Sequence, residues 1–268
     1  MPIRGDKLSV NVQIREHIHH RVTEFQTIDI YDTEVFGRLL LLDGHIQLTE
    51  FDERAYHESL VHVPLLSVPN PKRALVIGGG DGGVIRELCR HPSLETIDMV
   101  EIDAGVVEAC LEHLPSVSGG AFDDPRVNLH IADAFPFVKQ ITEPYDLIVA
   151  DSTDVYEGEA GNLSEMLFTR EFYRDVLAAL TPDGFVVTQA DNLVFCPYSL
   201  EAILAEFGAI FPQTGWYQGI VPSFGGYSGY AWASRGATPA TDLPSAPFEL
   251  AYLNEVTYRF AFKPMRFS

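Results

Sequence analysis

From Arg73 onward the chain alternates short β-branched runs with segments of helical period, and no other feature limits its fold as severely. "RALVIGG" reads as a buried strand and "GVIRELCRH" as a helix. "TIDMVEID" is a strand and "AGVVEACLEHL" a helix. "VNLHIADA" is followed by "FPFVKQI", "YDLIVADS" by "REFYRDVLAAL", and "GFVVTQA" by "SLEAILAEFGAIF". Strand–helix alternation of this kind predicts a parallel sheet covered on both faces, because each crossover helix packs back onto the sheet. "WYQGIVPS" and "YAWAS" read as two last strands.

The first part of the chain obeys a different rule. Between Thr23 and Glu53 apolar residues alternate, Gly37 and the Asp43–Gly44 pair mark turns, and no helical stripe stands out. The expectation is an α/β protein with a small N-terminal antiparallel β domain, residues 1–60, and a larger Rossmann-like domain, residues 61–268. A length of 268 residues accommodates both.

Charge narrows the partners. Lys and Arg number 18 against 38 Asp and Glu, a formal net charge of -20. Such a surface repels nucleic acid and anionic membranes and attracts cations. The charge is compatible with mere solubility or with a cationic substrate. The apolar runs are of strand length, short of the roughly 18 residues of a membrane helix, and "MPIRGDKLSV" lacks the apolar core of a secretory signal. Cys89, Cys110 and Cys196 show no paired spacing, which points to a reducing compartment, the cytoplasm, and to no structural zinc.

Gly78, Gly80 and Gly83 satisfy G-x-G-x-x-G between a strand and a helix, the context in which this spacing has meaning. Glu101 ends the next strand about 20 residues on, where an acid can hold ribose hydroxyls. Asp133 and Ala134 end a third strand, and "ADSTD" brings Asp151 and Asp154 to a fourth. Ligands of open α/β sheets bind beyond the carboxyl ends of the strands, so these groups converge on a nucleoside-shaped site. With Asp81, three acids would face one pocket, and grouped carboxylates need a cation. No His or Cys joins them at metal-ligand spacing, and an organic polycation fits the acidic composition better. His19, His20, His45, His62, His91, His113 and His130 show no triad spacing; His62 reads as packing. Ser152 lacks a histidine partner, and Trp216, Tyr217 and Trp232 read as core.

These motifs in this order resemble the polyamine aminopropyltransferase family, above all its spermidine synthases. The resemblance rests on "LLDGHIQLTEFDERAYHESLVHVPL", "GGGDGG", "VEID", "YDLIVADSTD" and "LFTREFY" and runs from about Phe25 to Trp232. It implies a methyltransferase-like Rossmann domain behind a small β domain. It also implies transfer of the aminopropyl group of decarboxylated S-adenosylmethionine, a co-substrate rather than a bound cofactor, to an amine such as putrescine, giving spermidine and methylthioadenosine. By resemblance Gln47 contacts the nucleoside, and Tyr56 and His57 line the amine site. Asp81 binds the aminopropyl end, Glu101 the ribose, and Asp133 and Ala134 the adenine. Asp151 accepts the proton and Asp154 anchors the acceptor amine. A homodimer or homotetramer is implied as well, consistent with exposed β edges in the N-terminal segment.

The chain departs from the family pattern in two places. Val155 stands where relatives have proline, and the following loop is longer and carries Glu157, Glu159 and Glu165. A longer acceptor such as spermidine would suit such a loop. Phe224 stands where relatives have tyrosine, and Tyr227 or Tyr230 is a candidate substitute. Two other functions share the fold: an S-adenosylmethionine-dependent methyltransferase and a catalytically silent polyamine-binding protein. Asp81 speaks against the first, because it would repel the carboxylate of intact S-adenosylmethionine. Retention of Asp151 and Asp154 speaks against the second.

Overall fold

The computed structural model describes residues 1–4, 7–152 and 169–263. A short hairpin, β1 (Pro2–Arg4) and β2 (Leu8–Ser9), precedes an antiparallel sheet of β3 (Ile14–Val22), β4 (Thr27–Thr33), β5 (Arg38–Leu42) and β6 (His45–Thr49) in sequential order. The turn between β5 and β6 is the expected Asp-Gly pair. Asp43 has φ 48° and Gly44 φ 81°, which suits the twist of a two-residue hairpin.

The rest of the chain builds the larger layer. Helix α1 (Glu53–Leu65) leads into β7 (Arg73–Gly78), α2 (Gly83–Cys89), β8 (Thr96–Glu101), α3 (Ala104–His113), the single turn α4 (Pro115–Ser118), β9 (Val127–Ile131) and α5 (Ala134–Lys139). Then follow β10 (Tyr145–Asp151), α6 (Arg170–Ala178), β11 (Leu180–Asn192), α7 (Pro197–Gly208), β12 (Gln213–Val221), β13 (Gly226–Ser234) and α8 (Glu255–Ala261). The strands pair in the order β12-β13-β11-β10-β7-β8-β9.

Strand β7 shows why this sheet is covered twice. Ala74 and Val76 pack with residues of α1 and α2 on one face, and Leu75 and Ile77 pack with residues of α5, α6 and α7 on the other. All four side chains are buried. Burying a valine, leucine or isoleucine side chain contributes about 1.5–3 kcal/mol, so a continuous apolar run is stable only inside two layers.

The sheet corrects the sequence reading in one respect. Strands β9, β8, β7, β10 and β11 run parallel, but β13 lies antiparallel between β11 and β12. The β12–β13 connection, Pro222–Gly225, is a tight turn, and a tight turn can join only antiparallel neighbours. The sheet is therefore mixed, and the fold is α/β and Rossmann-like.

The two layers meet through α3. Ile28, Ile30, Leu40, Leu42 and Leu48 of the N-terminal sheet pack against Val106, Ala109 and Cys110. Helix α1 packs instead on α2 and the large sheet. Strand β6 ends at Thr49 and α1 starts at Glu53, and we propose that the N-terminal domain ends between Thr49 and residue 60.

Candidate active site

The strand order reverses between β7 and β10, and the crevice at such a switch point is where Rossmann-like sheets bind ligands. A cavity of about 220 Å³ opens there. Its floor is the glycine loop 78–81 with Asp151, and its apolar walls come from Ile77, Val100 and Val106 on one side and Leu40, Leu42 and Ile46 of the N-terminal sheet on the other. Glu101, Asp133, Ala134 and Gln47 line it as well.

Glycine is required in the loop for steric reasons. Gly78 has φ 78°, and a Cβ there would sit 2.2 Å from the carbonyl oxygen of Asp151. That same carbonyl accepts the Gly79 N–H at 2.9 Å, tying the ends of β7 and β10 together. Gly83 serves a different need. A Cβ there would lie 2.1 Å from Cε1 of His57, so its absence lets the imidazole of α1 reach the loop.

Asp81 is held from two directions. Its Oδ1 accepts the Gly83 N–H at 2.7 Å and lies 3.3 Å from His57 Nε2. The opposite ring nitrogen of His57 bonds Glu53 Oε2 at 2.7 Å, and Glu53 receives both terminal nitrogens of Arg86, at 3.0 and 2.8 Å. Arg86 also donates to Glu87 Oε1 at 2.8 Å and to the Val117 carbonyl. Burial alone would lower the His57 pKa, but the Asp81 and Glu53 carboxylates outweigh it and raise the pKa to about 10. The imidazole is thus a cation at neutral pH, wedged between two carboxylates. It is 1% exposed and does not line the cavity. The resemblance has His57 line the amine site; in the fold its ring lies against Asp81, which lines the cavity.

Asp151 ends β10 at the cavity wall. The Tyr56 hydroxyl donates to its Oδ1 at 2.5 Å. Burial, reinforced by the negative charge of Asp81, pushes the Asp151 pKa up to about 6 against the pull of His57 and Tyr56. Its ligating atom, that of Asp81 and a ring nitrogen of His57 lie within 4.8 Å of one another. The sequence showed no histidine at ligand spacing from these acids; the fold supplies one from α1. His57, protonated on both ring nitrogens, has no lone pair for a metal, so the trio presents two carboxylates beside a fixed internal cation, an arrangement that suits an organic ammonium.

At the other end of the cavity, burial pushes Glu101 up to about 7, opposed by the Asp103 N–H that it accepts at 2.9 Å. Asp103 caps α3 through Gly105 and receives Thr23 Oγ1 at 2.7 Å and Gln26 Nε2 at 3.1 Å, so the N-terminal sheet is fastened to this end. Asp133 caps α5 by accepting the Phe135 N–H at 2.9 Å.

Several lining residues escaped the sequence reading. Phe25 and Gln26 arrive from the β3–β4 turn, and Gln189, Asp191, Asn192 and Ser228 from β11 and β13. Asp191 follows the rule that found Glu101 and Asp151, since it ends a parallel strand, and applying that rule to "VTQAD" would have found it. Its backbone has φ 59°, and burial raises its pKa. Phe224 lines the cavity and meets the Tyr56 ring edge-on at 5.5 Å. Neither candidate substitute takes its place: Tyr230 is buried and stacked on Tyr217 at 5.2 Å, and Tyr227 lies beside Phe260. Asp154, Val155, Glu157, Glu159 and Glu165 lie outside the described residues.

Comparison with known proteins adds to this geometry. Residues 53–242 match the family model of the spermine/spermidine synthase domain, and residues 3–50 match that of the spermidine synthase tetramerisation domain. The polyamine aminopropyltransferase of Moorella thermoacetica is 43% identical over 226 residues, 84% of this chain and 77% of the relative. That of Alkaliphilus metalliredigens is 40% identical over 253 residues, 93% of this chain and 87% of the relative. Among solved structures, a spermidine synthase in complex with the transition-state analogue AdoDATO superposes with a TM-score of 0.90 at 33% identity, covering 97% of this chain and 89% of that one. The spermidine synthase of Thermotoga maritima gives 0.87 at 32% identity, covering 97% and 88%.

Proposed function

The chain belongs to the spermine/spermidine synthase family, and from that premise we propose that it transfers the aminopropyl group of decarboxylated S-adenosylmethionine to putrescine, forming spermidine and methylthioadenosine. One observation carries the choice of donor. Asp81, fixed by the Gly83 N–H and the His57 cation, places a carboxylate of the glycine loop at the cavity wall. The decarboxylated donor ends there in a bare ammonium, which the carboxylate attracts. Intact S-adenosylmethionine adds a carboxylate, which it repels.

The remaining groups support the same reaction. Glu101 would accept ribose hydroxyls, Asp133 and Ala134 would hold the adenine, and Gln47 would face the nucleoside across the cavity. A protonated amine has no lone pair, so the acceptor must lose one proton before attack. Asp151, with a pKa near 6, is ionised at neutral pH and still basic enough to take it. The Tyr56 hydroxyl, donating to Asp151 Oδ1, holds this carboxylate in place. The acceptor nitrogen then forms a bond to the methylene carbon, the carbon–sulfur bond breaks, and its electron pair neutralises the sulfonium. Both products leave without a metal or redox partner in the balance. In-line placement of nitrogen, carbon and sulfur is the main task left to the protein.

Asp191 and Asp154 would anchor the far ammonium of the acceptor. Phe224 contributes an apolar face where relatives have tyrosine, which suits the methylenes of a diamine. The match of residues 3–50 supports a homo-oligomer, a tetramer in our reading, and the unpaired cysteines support a reducing compartment such as the cytoplasm. Incubation with the decarboxylated donor and a panel of putrescine, cadaverine, agmatine and spermidine, with products weighed by mass spectrometry, tests the assignment. Spermidine from putrescine is expected. Preference for spermidine as acceptor would move the assignment to a longer substrate, and methylation from intact S-adenosylmethionine, or binding without turnover, would overturn it.

A further inference from the structure

Far from the cavity, β3 and β4 bring two imidazoles and a carboxylate together. His17 Nε2 lies 2.7 Å from Asp29 Oδ1, and His20 Nδ1 lies 2.8 Å from the same oxygen. The three ligating atoms are all within 4.8 Å of one another.

An irregularity in the strand creates this grouping. Residues three apart on a regular strand face opposite ways. The register of β3 shifts between His17 and His19, which inserts one extra residue against β4. Ile18 and His19 consequently both turn inward: Ile18 packs against the apolar cluster under α3, and His19 lies against the His113 ring at 4.8 Å. The flanking His17 and His20 both turn outward, where Asp29 and Tyr31 project from β4. The Tyr31 ring stacks on His17 at 4.2 Å with an interplanar angle of 16°, fixing the imidazole plane. Both imidazoles are open to solvent, while Asp29 is largely covered.

We propose that His17, His20 and Asp29 form a surface site for a divalent transition metal of zinc's class, with water completing the coordination. Two imidazole nitrogens and one carboxylate oxygen suit zinc, nickel or copper, whereas magnesium and calcium take oxygen ligands throughout. Tetrahedral zinc at bond lengths of about 2.0–2.1 Å sets its ligands about 3.3 Å apart. Each nitrogen would therefore part from the Asp29 oxygen by about half an ångström, a rotation open to exposed side chains. The bound ion would clip β3 to β4 within the segment that matches a tetramerisation domain. The site shares no residue with the cavity and does not depend on the proposed reaction.

Calorimetric titration of the full, tag-free chain with zinc chloride tests it, with the double variant H17N/H20N and the pocket variant D81N alongside. The expected result is one zinc per chain in the unmodified protein and in D81N, with affinity at least roughly tenfold weaker in H17N/H20N. Cobalt(II) should give tetrahedral visible bands in the first two and not in the third. Far-UV circular dichroism checks that the double variant keeps its fold; if it does not, H17Q or H20Q alone takes its place. Equal zinc affinity with and without the two histidines, zinc lost in D81N but retained in H17N/H20N, or no uptake by the unmodified chain would each overturn the proposal.

Discussion

The Tyr56 hydroxyl donates to Asp151 Oδ1 across 2.5 Å, joining the first helix of the larger layer to the end of β10. This bond favours the ionised carboxylate, so its removal should do more than loosen the pocket. Tyr56→Phe should raise the Asp151 pKa above its value near 6 and lower kcat. A hydrogen bond to a charged group is worth about 1.5–3 kcal/mol, which corresponds to a loss of roughly tenfold to a hundredfold. Steady-state kinetics across pH checks both effects; an unchanged acidic limb would separate Tyr56 from the proton-accepting step.

In the unmodified enzyme, kcat/KM for the acceptor should rise with pH through a limb near 6, because protonated Asp151 cannot accept the amine proton. Asp151→Asn should remove that limb and cost roughly 10²- to 10⁴-fold in rate, with binding of methylthioadenosine retained. A limb that survives in the variant would belong to another group.

Gly83 faces the His57 ring so closely that any side chain must displace it. Gly83→Ala should lower stability by about 1–3 kcal/mol, the usual cost of overpacking, and should weaken donor binding through the disturbed Asp81. Denaturant unfolding and calorimetry read the two losses separately. An alanine variant with unchanged stability and unchanged donor affinity would contradict the proposed wedge.

The buried His57 cation also links stability to pH. Its folded pKa, about 10, lies above the ordinary value of 6.5. The stability it contributes is therefore fully present below about pH 6.5 and is lost as pH rises through 10. Unfolding free energy measured over that window should fall more steeply for the unmodified protein than for His57→Asn. Parallel curves would mean that the imidazole is neutral in the fold.

Much of this arrangement was legible before any coordinates. Strands β7, β8 and β10 announce themselves because a strand buried on both faces must be largely apolar, and they end in Gly78, Glu101 and Asp151, the Gly and acids that a ligand needs. Direction is not written in such a run. Strand β13 is buried like the parallel strands of the same sheet, and only the short turn before it reveals that it runs the other way. The Glu53–His57 pair was within reach, since residues four apart share a helix face. Its meeting with Asp81 was not, because that depends on how α1 crosses α2 over Gly83. Phe25 and Gln26 enter the cavity only through the docking of one sheet on α3, which no local pattern encodes.

The central claim is that Asp81 selects a nucleoside ending in an ammonium and not in an amino acid carboxylate. Calorimetric affinities for decarboxylated S-adenosylmethionine, S-adenosylmethionine and methylthioadenosine, measured on the unmodified protein and on Asp81→Asn, test it most directly. The account predicts clear preference for the decarboxylated donor in the unmodified protein. In the variant that ligand should lose roughly 30-fold or more in affinity, as expected when one partner of a buried charge pair is removed, while methylthioadenosine changes little. Equal losses for the decarboxylated donor and methylthioadenosine, or a preference that survives the substitution, would contradict it.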